Sequence, residues 1–337
     1  MNNKKGFEIQ FNWIFVLIVG AIIIIFFTTI IVKQKNVSET SVKVNILQGM
    51  QSIISGASAS LYTTSTIDIP DSEIKIDCNK IAVGAASKQY QNLILFAPSL
   101  IKGAKLVSQT LPFNAPFRTT NILYMTSPKI RYIIIGNNNI ANQINSSLPF
   151  GISKENYSAY EPSKIKNMNN YKVKFVFVNT NFNFMDFPGS LAKMPDDDVT
   201  AVKITGGDKG IVDFYRKNGN SWAHKDTSSY IGINTLLGAV YSDTAETYIC
   251  NMQHIFSKTS LVANIYHDRT NELKQLSDSN GKTQCSGSYA NALTFLNSIS
   301  SASPESVDDN VNAIDLNYNL LKDENKKLEA FSCPLIY

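Results

Sequence analysis

The stretch IRYIIIGNNNIANQINSSLP, residues 130–149, decides the fold class. Ile130 to Ile135 is a β-rich run closed by Gly136. Ile140, Ile144 and Leu148 then recur at four-residue steps until Pro149 stops the pattern, which predicts a strand, a tight turn and a short helix. Tyr171 to Val178 is the next strong strand, with Val173, Phe175 and Phe177 opposite Lys172 and Lys174. The alternation assigns the two lysines to a solvent face. A strand, a helix and a strand in this order predict a parallel pair joined by a right-handed crossover, and so an α/β fold.

Working outward, Glu73 to Cys78, Asn92 to Phe96, Thr120 to Met125, Val199 to Ile204 and Ile211 to Tyr215 read as further strands. Residues 206–210, Gly-Gly-Asp-Lys-Gly, supply a hairpin between the last two. They lack the G-K-[ST] ending of a phosphate-binding loop. Helical texture dominates after Tyr230, with helices predicted from Ala245 to Leu276, Ser286 to Ser298 and Val307 to Leu328. Short polar linkers between them favour antiparallel packing. The expected architecture is a mixed or partly parallel sheet covered by helices over residues 70–235, then a helical region over 236–337 that packs on the same core.

Two segments precede the sheet. Residues 13–32, from Trp13 to Val32, carry no charge and hold Thr28 and Thr29 as their only hydroxyls. At about 1.5 Å per residue, 20 such residues match a hydrocarbon core of about 30 Å. The expectation is a single-pass membrane anchor within residues 1–35, with lipid as its partner. A cleaved signal peptide would need a small-x-small site close behind, yet the first good one is Ala57-Ser58-Ala59. Residues 36–69 are expected to form an amphipathic helix and a linker, because Val42, Ile46, Met50, Ala57 and Leu61 recur at helical spacing.

Lys4 and Lys5 before the span, against Lys33 and Lys35 after it, give only a weak orientation bias. The four cysteines and the Asn-x-Ser sites at Asn36, Asn145 and Asn156 favour an extracytoplasmic bulk. If the three C-terminal helices alternate in direction, Cys285 and Cys333 finish near one another, leaving Cys78 for Cys250; four free thiols are the alternative. The chain is formally +4. Four lysines and one glutamate within residues 1–35 supply +3 of that charge, so the basic balance gives no reason to expect a nucleic-acid partner.

Motifs for chemistry are sparse. Residues 136–139, Gly-Asn-Asn-Asn, occupy the place of a nucleotide-binding turn without its glycines, and an Asn N-cap accounts for them. Asp196, Asp197 and Asp198 are three successive carboxylates that match no calcium-loop spacing. Together with Asp213 they are candidates for acid chemistry near strand ends. His254 and His267 are too far apart to pair on one helix, His224 stands alone, and no C-x₂₋₄-C pair is present. His267-Asp268-Arg269 reads as a hydrophilic helix face. No catalytic, cofactor-binding or metal residue is assigned. The segment Phe182 to Met194 is unusually apolar for a loop and reads as a core plug, with an exposed docking loop as the alternative.

Residues 4–18, Lys-Lys-Gly-Phe-Glu-Ile-Gln-Phe-Asn-Trp-Ile-Phe-Val-Leu-Ile, resemble the start of uncharacterised single-span envelope proteins of small-genome archaea. Residues 248–252 are similar to the same group. That resemblance implies an archaeal membrane and an envelope location, and it brings no activity. Lys5-Gly6-Phe7 also resembles a type IV prepilin processing site, although Glu8 stands second after the glycine where the bacterial pattern has a glutamate fifth. The functional expectation is a non-catalytic envelope component that has a structural or protein-binding role. The alternatives are a membrane-tethered enzyme acting on glycan, peptide or nucleotide, and a pilin-like subunit.

Overall fold

The computed structural model describes residues 21, 24, 25, 28, 29, 41–56, 60, 62–90 and 93–337. The expected span, residues 13–32, therefore lies mostly outside the described residues. Those described within it are helical, and the Thr29 hydroxyl donates to the Ile25 carbonyl at 2.7 Å. Among the described residues no helix is long and apolar enough to cross a membrane.

Residues 41–56 form helix α1. Ile46, Leu47 and Met50 are buried along one face of it; the spacing predicts Ile46 and Met50, whereas Val42, expected on the same face, is exposed. That face lies on a first sheet of six strands: β1 (Thr63–Asp77), β2 (Lys80–Val83), β3 (Ala86–Gln89), β4 (Leu95–Phe96), β5 (Leu100–Asn114) and β6 (Arg118–Thr126). Their order is β3-β2-β1-β5-β6-β4, antiparallel except for the β4–β6 pair. The expected linker over 62–69 is mostly the start of β1. Residues on β6 alternate as a pleat requires. Leu123 and Met125 face α1, while Ile122 and Tyr124 face the helices that end the chain.

The second sheet holds β7 (Ile130–Ile135), β8 (Ser153–Tyr157), β9 (Lys172–Val178), β10 (Val199–Gly206), β11 (Lys209–Asn218) and β12 (Ser221–Ile231). Its order is β12-β11-β10-β9-β7-β8. The four strands from β10 to β8 are parallel, and β11 and β12 are added by hairpins. The unit that opened the sequence reading is β7 followed by α2 (Asn139–Ser147). Its parallel partner β9 is adjacent as expected, but β8 intervenes in the chain and pairs on the other side of β7. The α/β class holds, with two mixed sheets in place of one.

Four helices follow: α3 (Gly232–Tyr241), α4 (Ala245–Ser279), α5 (Thr283–Ser301) and α6 (Val307–Ala330). They form the C-terminal helical region and share one core with a face of each sheet. The expected cysteine pairing is present. Cys78, just past β1, meets Cys250 on α4, and Cys285 on α5 meets Cys333 beyond α6.

Parallel strands need cover on both faces. On the second face of sheet two that cover is a loop. Phe182, Phe187, Leu191 and Met194 pack with Phe175, Phe177, Tyr215 and Trp222. Polar stitches hold the loop down: Tyr160 Oη and Trp222 Nε1 both donate to the Asp186 carbonyl, and Ser190 Oγ donates to the Ile165 carbonyl. The plug reading holds for Phe182, Phe187, Leu191 and Met194. Phe184 and Met185 at its tip remain 48% and 73% exposed.

Helix α3 approaches the first sheet closely through a glycine. A Cβ at Gly238 would lie 2.8 Å from the Phe96 ring, which is itself fully buried. Gly238→Ala is expected to destabilise the fold by about 1–3 kcal/mol through overpacking, read by chemical denaturation. An unchanged midpoint would contradict this close approach.

Candidate functional site

Open parallel sheets place ligands beyond the carboxyl ends of their strands. Here that position is occupied by asparagines. Asn138 caps α2, its Oδ1 accepting from Ala141 N at 3.0 Å, and its Nδ2 donates to the Val178 carbonyl at 2.9 Å. Asn179 accepts from Gly206 N and donates to the Gly206 carbonyl. The N-cap expected of the Asn run is present at Asn138, and both asparagines tie neighbouring strand ends together. A cavity of about 280 Å³ beside them is lined by Ile140, Gln143, Ser147, Asp208, Ile233 and Leu236, among others. Asp208 is its single acid, whereas paired-carboxylate hydrolysis needs two.

The carboxylates proposed for acid chemistry are dispersed. Asp196–Asp198 form a 3-10 turn at the amino end of β10, opposite the end where α/β sites form. Asp196 pairs with Lys217 at 2.5 Å and Asp197 pairs with Arg216 at 2.7 Å. Asp198 faces the charges of Lys172 and Lys102; burial pushes its carboxyl pKa up against their pull. Asp213 does not sit at a strand end. It lies mid-strand opposite Thr227, whose hydroxyl donates to it at 2.6 Å, with His224 3.6 Å away. Its register partner on β10 is Lys203, five residues beyond Asp198, or roughly 16 Å along the strand. His267 stays on α4 beside Asp268.

The sharpest correction concerns Lys172 and Lys174. Each is only 2% exposed. The face of β9 that carries them continues as Val176 and Val178 into the core beneath the helices. The alternation was sound, but both faces of a central parallel strand are covered. Lys172 forms an ion pair with Asp243, which lies between α3 and α4. Asp243 also accepts from Ser99 N and Ser99 Oγ, both at 2.9 Å. Lys174 donates to the Ser242 carbonyl and lies 5.8 Å from the centre of the Phe214 ring. Burial works to raise the Asp243 carboxyl pKa; the Lys172 and Lys174 charges outweigh it and hold the group below the usual carboxylate value. Burial brings Lys174 down from 10.5 to about 7, with Asp243 resisting and Lys172 adding to the shift. A third buried basic side chain, Arg131, is held by Glu155 through two hydrogen bonds of 2.8 and 2.6 Å.

One arrangement of metal-ligand residue types escaped the sequence reading. Sγ of Cys78, Sγ of Cys250 and a ring nitrogen of His254 all lie within 4.8 Å of one another. The available signal was the four-residue step from Cys250 to His254 on a predicted helix. No C-x₂₋₄-C pair marks it, because Cys78 and Cys250 lie 172 residues apart in the chain.

The buried lysine sets a pH dependence. Below its folded pKa of about 7 Lys174 is protonated in both states. Between about 7 and 10.5 the unfolded chain binds more protons, so stability rises with pH across that window. Asp243, with a depressed folded pKa, contributes stability that is lost on acidification below the ordinary carboxylate value of 3.8. Thermal melts against pH should show the alkaline rise in the native protein, and Lys174→Met should remove it while keeping the acid loss. A rise of the same size in the variant would contradict this assignment.

No known protein family, curated protein or solved structure matches this chain.

Proposed function

We propose that the chain is an extracytoplasmic, non-catalytic envelope component, tethered to lipid by residues 13–32 and engaged with another protein of the cell surface. The observation that carries this reading is the pairing of all four cysteines in two disulfides, a state that persists in oxidising compartments. The position of α1 supports the tether. It packs on the first sheet and begins nine positions after Val32, so the chain leaves little length between the proposed tether and the domain. Asp196 and Asp197 are spent on structural pairs with Lys217 and Arg216, which supports a binding role over an enzymatic one. Phe184 and Met185, exposed on an otherwise stitched-down loop, are the proposed contact element. A pilin-like subunit is the second reading, because α1 on an antiparallel sheet resembles a pilin stem against its head. It requires the native chain to begin at Phe7.

Two measurements test the proposal. A chain beginning near Asn36 should be soluble without detergent, keep both disulfides and melt cooperatively, while the full chain resists alkaline carbonate extraction from membranes. Aggregation of the shortened chain, made under oxidising conditions, would mean that the anchor is part of the fold. A photocrosslinker at position 185 should yield a protein adduct in native membranes; recovery of the uncrosslinked monomer alone would count against a partner at this loop.

A further inference from the structure

We propose that Cys78, Cys250 and His254 form a redox-gated metal site, which binds a thiophilic divalent cation such as Zn²⁺ when the disulfide is reduced. Three observations converge on it. The two sulfurs and a nitrogen of His254 lie mutually within 4.8 Å. Cys250 and His254 are four residues apart on α4, hence on one helical face, and Cys78 reaches that face from the end of β1. His254 Nδ1 is 2.9 Å from the Leu93 carbonyl oxygen. A carbonyl only accepts, so Nδ1 is the donor there and Nε2 is the ring nitrogen left to ligate. A backbone carbonyl fixing the tautomer in this way is the usual support behind a metal-ligating histidine.

The backbone already suits both states. The Cys78 and Cys250 Cα atoms are 6.0 Å apart. Two thiolates on tetrahedral zinc have sulfurs about 3.8 Å apart, from Zn–S bonds of about 2.3 Å, so side-chain rotation makes most of the change. Cys78 is buried while Cys250 and His254 are half-buried, which leaves the fourth position open to water, as in three-ligand zinc sites. The electron balance is simple. A dithiol reductant supplies two electrons and two protons, leaves as its own disulfide, and yields two cysteine thiols. The cation then displaces both thiol protons. On an oxidising surface the disulfide holds the first sheet to α4, and in a reducing environment the metal takes over that connection.

Co²⁺ reports the site by thiolate-to-metal charge-transfer absorption. Full-length protein in detergent, reduced anaerobically with a phosphine, should bind one Co²⁺ per chain with these bands and release it to Zn²⁺. The oxidised protein should show none. His254→Ala should weaken Co²⁺ binding by about tenfold or more, and the double variant Cys285→Ser, Cys333→Ser should retain the bands. Bands that are absent from the reduced protein, unchanged in His254→Ala, or lost in the Cys285/Cys333 variant would overturn the proposal. Because reduction itself loosens the fold, the melt of reduced protein is the second readout. Zn²⁺ should raise it, and a reduced chain that remains unfolded with and without Zn²⁺ would equally overturn the site.

Discussion

The carboxylate of Asp243 is the joint on which this architecture turns. It lies between α3 and α4 and gathers Lys172 from the first residue of β9 and Ser99 from just before β5. One side chain thus ties both sheets to the bend that lets the helices cover them. Burying such a pair offers little net stability, since desolvation offsets the attraction. Losing one partner is another matter, because an uncompensated charge is left in the core at a cost of about 3–5 kcal/mol. The pair therefore specifies where the α3–α4 bend must dock. Neighbouring contacts repeat the instruction: Asn251 accepts from Leu95 N, His254 meets the Leu93 carbonyl, and the Cys78–Cys250 bond closes the same seam.

That use of charge bears on function. Lys172, Lys174, Arg131 and Lys217 are the kinds of buried cation that mark active sites in other α/β proteins. Here each has a structural partner: Asp243, the Ser242 carbonyl, Glu155 and Asp196. Loop cover on the second sheet follows the same pattern, with aromatic stacking of Phe177 on Phe182 in place of a crossover helix. At the tip of that loop Phe184 rests on Phe182 and Tyr215 and stays half-exposed, while Met185 points outward.

Much of the fold was legible in the sequence because its period was clean. The β7–α2 unit, β9, the β10–β11 hairpin, α1 and the three long C-terminal helices all announce themselves by spacing. β5 and β12 do not. β5 places Ser108, Gln109 and Thr110 in the interior and carries Gly103 and Pro112, while β12 runs through an exposed Lys225-Asp226-Thr227 segment. Neither shows the alternation that marks a half-buried strand. The lysines of β9 were read correctly as one face and assigned to the wrong environment, because periodicity separates two faces without saying what covers each. Tertiary partners such as Asp243 lie 71 residues away from Lys172 and leave no local trace. The cysteine pairing was within reach because antiparallel helices bring their distant ends together.

The charge-locked domain is proposed to face outward from the membrane. Side-specific labelling tests it most directly, using a membrane-impermeant amine reagent on intact cells followed by peptide mapping. Lys193 and Lys225 are exposed, whereas Lys172 and Lys174 are buried in the same fold and serve as internal controls. The account predicts labelling of Lys193 and Lys225 in intact cells with Lys172 and Lys174 untouched. Labelling of Lys193 and Lys225 only after the membrane is opened would place the domain on the inside and contradict it.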